Sequence, residues 1–72
     1  MIVMGKRILD RMEELDMLSK QFENATGVNM RSVYGWLDGK HIPSADSVVR
    51  VARGLDVSAD WLLGLSSDRR PR

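Results

Sequence analysis

The chain has no cysteine, two prolines, one histidine and four aromatic residues in 72 positions. Without cysteine there can be no disulfide, no thiolate metal site and no thiol nucleophile, and the composition fits a reducing compartment. A single histidine, His41, cannot build a zinc site without other strong ligands. No paired acids stand beside a glycine-rich loop, so no catalytic set is visible and an enzyme is not expected. The opening Met1-Ile2-Val3-Met4 is too short for a signal core and is followed at once by Lys6 and Arg7. No apolar run approaches the roughly 20 residues of a membrane span. The expectation is a soluble, cytoplasmic protein that needs no cofactor, no metal and no small-molecule substrate.

Excess charge is also missing, since the net value is +1. Three of the bases, Arg69, Arg70 and Arg72, lie in the polar tail, and without them eight bases face ten acids. Any face that attracts an anionic partner must therefore arise by local segregation. Residues 27–43 offer one such segment. It holds Arg31, Lys40 and His41 against one acid, Asp38.

What is present is 43% hydrophobic residues arranged with helical periodicity. Seventy-two residues make one domain. Ile8, Met12 and Leu15 recur at i, i+4 and i+7, with Leu9 beside them, and predict a helix over 5–15. Glu13, Glu14 and Asp16 end it with acids that oppose its dipole. A second helix spans 19–26, starting at Leu18 or Ser19 and stopping at Gly27, with Phe22, Ala25 and Thr26 inward. A third spans 30–38, capped by Asn29 and stopped by Gly39, with Val33, Trp36 and Leu37 as its buried stripe. Pro43 and Ser44 open a fourth over 44–54, where Val48, Val49, Ala52 and Leu55 face the core and Arg50 and Arg53 lie opposite. Ser58 caps a fifth over 58–64, carrying Trp61, Leu62 and Leu65 and ending at Gly64. The domain covers 1–65, and 66–72 is a polar tail or the start of a linker.

Two short helices joined by a glycine-containing turn form the helix-turn-helix unit. Its second helix can enter the major groove of DNA. With Val33, Trp36 and Leu37 inward, Arg31, Gly35 and Asp38 lie outward, Ser32 and Tyr34 flank them, and Asn29 and Met30 form the tip. Gly35 is costly inside a helix, by about 1 kcal/mol against alanine. An outward glycine repays that if the backbone must approach base edges closely and Arg31 must reach a guanine. The bland alternative is a tolerated surface glycine.

These residues resemble the phage repressor and Cro-like helix-turn-helix family, the lambda-repressor-like domain. The similarity runs through Gly27-Val28, Val33, Trp36, Asp38-Gly39, Pro43 and VVRVARGLDVSADWLLG at 48–64. It covers about residues 5–65. It implies an all-α, five-helix domain that binds double-stranded operator DNA as a homodimer, with the helix-turn-helix on the second and third helices. Carried over position by position, base contacts fall on Asn29, Met30, Arg31 and Gly35, with Tyr34 beside them. Phosphate contacts fall on Ser19 and Lys20, and on Lys40 and His41, with Ser32 assigned to the same role. Tyr34 either bonds a phosphate or packs on a thymine methyl. Met30 either touches such a methyl or covers the edge of the core.

The chain departs from the family pattern at three points. Ser19 replaces a usual glutamine. Glu23 stands where a small residue packs between the two helices. Met12 and Leu37 replace an arginine–glutamate pair, and an apolar contact in that place is expected. Val51 and Leu63 fit the buried stripes poorly and, with Leu65, are expected to form an exposed dimer strip, which the apolar start of the chain either joins or leaves by folding over the first helix. The functional expectation is a sequence-specific regulator, a repressor of phage or bacterial type. The alternative is a protein-interaction module on the same fold, such as an antitoxin or adaptor.

Overall fold

The computed structural model describes residues 1–71. Among them the chain forms five helices and no strand: α1 Ile2–Glu14, α2 Ser19–Thr26, α3 Met30–Leu37, α4 Ala45–Leu55 and α5 Ala59–Leu62. Three starts are set by side-chain caps. Asn29 Oδ1 accepts the Ser32 N–H at 3.0 Å, Ser44 Oγ the Ser47 N–H at 3.1 Å, and Ser58 Oγ the Trp61 N–H at 3.1 Å. Each bond satisfies a donor that a helix start leaves open. The α2 start differs, because its N-cap is Leu18 and Ser19 is already helical. Gln21 Oε1 accepts the Leu18 N–H at 2.7 Å, yet leucine offers no acceptor in return. Stops occur in the left-handed region at Gly27, φ 72°, and at Asp56, φ 57°.

The core gathers one stripe from every helix. Met4, Ile8 and Met12 of α1, Phe22 of α2, Val33 and Trp36 of α3, Val48, Val51 and Leu55 of α4, and Leu62 of α5 are all buried. α1 packs chiefly on α3, and α2 on α4. Both contacts depend on a missing side chain. A methyl group added to Gly5 would lie 2.8 Å from Leu37 Cα, and one on Gly54 2.8 Å from Ala25 O. Carbon atoms rest about 3.5–4.0 Å apart, so these helices approach backbone to backbone.

Several sequence expectations need correction. α1 begins three residues earlier than predicted, so the apolar start is the first turn of the helix and Met4 is fully buried. It is no flap over the helix, although Met1 and Ile2 stay exposed on that turn. The glycine at position 5 reads as a boundary in sequence but serves here as a crossing point. Leu37 lies over Gly5 and not over Met12, which is seven positions further along α1, or ~10 Å of helix. Leu15 is 42% exposed, Val49 is 45% exposed and Ala25 is also exposed, because α1, α4 and α2 turn those positions outward. Val51 is fully buried, so it cannot belong to an exposed strip, whereas Leu65 is 75% exposed and Leu63 packs partly against the core.

The described part of the tail is tied down. Arg69 O accepts the Ser58 N–H at 3.0 Å, and Ser58 Oγ donates to Asp68 O at 3.2 Å. Arg69 pairs with Glu14 at the end of α1. Arg7 lies 5.1 Å from the Trp61 ring centre and donates to the carbonyls of Trp61 and, at 2.9 Å, of Ser66. Trp61 is thus half-buried under a guanidinium and is not a deep core residue. The Arg69 hydrogen bond, helped by Arg11, holds the Glu14 carboxyl below its ordinary value against an opposing effect of desolvation.

Candidate nucleic-acid interface

The third helix is amphipathic because its sequence alternates anchors with short polar groups at helical spacing. Trp36 is 3% exposed and Val33 fully buried. Their opposite side carries Arg31 and Tyr34 into solvent. Asn29, Arg31, Ser32, Tyr34, Gly35, Lys40 and His41 line one open concavity of about 380 Å³, together with Asp38. Seven of the ten residues singled out from sequence therefore share one surface. Ser19 and Lys20 stand apart from it, exposed on the first turn of α2.

Two residues are placed otherwise than a base contact requires. Met30 is 6% exposed and belongs to the core, so its thioether is directed away from any ligand. Gly35 is buried, not open. After α3 the chain turns back through Gly39, and Gly35 O accepts the N–H groups of Lys40 at 2.9 Å and His41 at 3.2 Å. This brings the His41 ring over the glycine. A methyl group at position 35 would meet His41 Cδ2 at 2.5 Å. The glycine makes room for a neighbouring imidazole rather than for a base edge.

The cations of this face differ in their pairing from four arginines elsewhere. Arg11, Arg50, Arg69 and Arg70 each hold a carboxylate. Among the described residues no carboxylate pairs with Lys20, Arg31 or Lys40. Lys6 and Arg53 are likewise unpaired. The cations at α2 and α3 keep their donors for an outside acceptor. The α2 start adds to this, since the N–H groups of its first turn meet no side-chain cap. Such a terminus carries partial positive charge and attracts phosphate.

Sequence reasoning missed the role of Glu23. Its Oε2 accepts the Met30 N–H at 2.9 Å from a half-buried position. The acid that reads as awkward between two helices is a cross-cap joining α2 to the start of α3. An acid seven residues ahead of a helix start has no standard capping signature, so only the turn geometry reveals it.

A helix-turn-helix family model, of the Cro and repressor type, matches residues 8–62, more than half of the chain. No curated protein and no solved structure matches it.

Proposed function

We propose, for a chain that belongs to the Cro and repressor type of the helix-turn-helix family, that it represses transcription from a near-palindromic operator, bound as a homodimer. DNA binding and transcriptional regulation come with that membership. The finer reading rests on one observation. The anchored tryptophan side of α3 has, on its back, a single face of unpaired cations and hydrogen-bonding side chains.

On this reading α3 lies in the major groove, with Asn29, Arg31 and Tyr34 addressing base edges. Arg31 is the specificity contact, because a guanidinium bonds guanine O6 and N7 together. Ser19 and Lys20 at the open end of α2, with Ser32, Lys40 and His41, hold the sugar–phosphate backbone on either side. Met30 and Gly35 act from beneath, as core and as a seat for His41. Two copies place their third helices about one turn of DNA apart, on half-sites related by a two-fold axis. The setting is the cytoplasm of a bacterium, at host or phage DNA.

The test begins with selection of bound duplexes from a random pool. Affinity for the selected duplex should fall steeply with salt. Arg31→Ala should lose about 1–3 kcal/mol of discrimination at one base pair. Lys40→Ala should weaken all sequences alike and reduce the salt slope by about 1. Duplex binding that ignores salt, or that survives both changes untouched, would refute the reading in favour of a protein partner.

A further inference from the structure

The starts of the two helices in the motif are finished in opposite ways. At α2 the N-cap is Leu18, which has no acceptor, and Lys20 stands beside it. At α3 two donors are already taken. Asn29 Oδ1 holds the Ser32 N–H at 3.0 Å, and Glu23 Oε2 holds the Met30 N–H at 2.9 Å. The second acceptor comes from another helix and brings a carboxylate to the place where a helix end favours an anion.

We propose that Glu23 is a specificity-determining residue: its carboxylate occupies the anion position at the start of α3 and so keeps DNA phosphate away from the reading helix. This rests on the reading of α3 as the base-contacting helix. A helix end left open would gain affinity from any phosphate, whatever the sequence beside it, and such contacts carry no base information. Filling it from within removes that sequence-independent gain. Phosphate is then engaged at α2, and α3 contributes through its side chains. Glu23 touches no base in this account and acts by excluding a competing contact. Its half-buried position suits that role, because the carboxylate is held by Met30 N–H rather than extended toward bases.

The test uses the whole chain, the tightest duplex selected by the unaltered protein, and a scrambled duplex of equal length and composition. Glu23→Gln keeps an oxygen for the Met30 N–H and removes the charge. With the N–H still held, only the carboxylate's repulsion of nearby phosphate is lost, so the scrambled duplex should bind roughly two- to fivefold more tightly. The variant's salt slope on that duplex should steepen by up to about 0.9, as for one opposing charge removed from the interface. The selected duplex should gain less, so that the ratio of the two affinities falls. Glu23→Ala, which also loses the cap, should show the same fall in ratio together with a lower melting temperature. An unchanged ratio and slope in Glu23→Gln, with a normal melting temperature, overturns the proposal and leaves Glu23 a cap only. If Arg31→Ala shifts base preference while Glu23→Gln changes nothing, this inference alone fails. If the unaltered protein selects no duplex, the reading beneath it fails first.

Discussion

Alanine placed at Gly5 and at Gly35 gives the same chemical change in two helices and should give opposite results. Each substitution gains about 1 kcal/mol of helix propensity, because glycine loses more backbone freedom on folding. What the new methyl meets decides the sign. At Gly5 it meets Leu37 backbone, Cα at 2.8 Å and N at 2.9 Å. Relief requires α1 and α3 to separate by roughly 0.7–1 Å to reach ordinary contact. Overpacking of that kind costs about 1–3 kcal/mol and more when backbone must move. The net loss should be about 2 kcal/mol, a large part of the 5–15 kcal/mol typical of a small domain. The melting temperature should fall by roughly 8–16 °C on the usual scale of ~4–8 °C per kcal/mol. At Gly35 the methyl meets the His41 ring at 2.5 Å, and that side chain is exposed and free to swing out. Stability should hold or rise by up to about 1 kcal/mol. The displaced imidazole then enters the concavity at α3 and should weaken DNA binding. Thermal unfolding followed by far-ultraviolet circular dichroism measures both variants. A Gly5→Ala protein as stable as the parent would refute the close-crossing argument, and a strongly destabilised Gly35→Ala protein would refute the freedom of the His41 ring to swing out.

Two further outcomes follow from burial and charge. Val51→Ala should cost about 1–3 kcal/mol in chemical denaturation, since the side chain is fully enclosed, whereas Leu65→Asp should leave stability nearly unchanged and report only on self-association in sedimentation. The Glu14 carboxyl is held below its ordinary value when folded, so the stabilisation it contributes is present above the ordinary carboxylate value and is lost as pH falls from there through the lowered one. Protection of the Ser58 amide from hydrogen exchange should decline across that acidic window, and Arg69→Ala should weaken the pH dependence to the part that Arg11 sustains.

The five helices were legible because their signals are local. Asn29, Ser44 and Ser58 precede apolar stripes at helical spacing, and Gly27 and Gly39 follow them, so number and order could be read directly, and the inward faces in part. The features that were misread depend on neighbours distant in sequence. Gly5 looks like a boundary until Leu37 is known to lie on it. Val51 looks off-stripe because α4 is covered on more than one side, by α2 and α5 and also by α1. The polar tail has no periodicity, yet its attachment uses backbone oxygens of Asp68 and Arg69, which every residue possesses. At the interface the same division holds. Arg31, Tyr34 and Lys40 were legible as outward polar groups, but Met30 falls on the Val33 side of α3, three positions before it, and Gly35 was settled by the return of the chain through His41.

The clasp between Arg7, Trp61 and Ser66, with Glu14 and Arg69 nearby, has a consequence for synthesis. The helix α1, made before the other four, is fastened by residues made after them. Its flank must wait for them, so a nascent chain paused before position 61 carries an unfinished first helix. Slow translation of positions 61–69 would prolong that vulnerable interval, and a chaperone or protease would find its opening there.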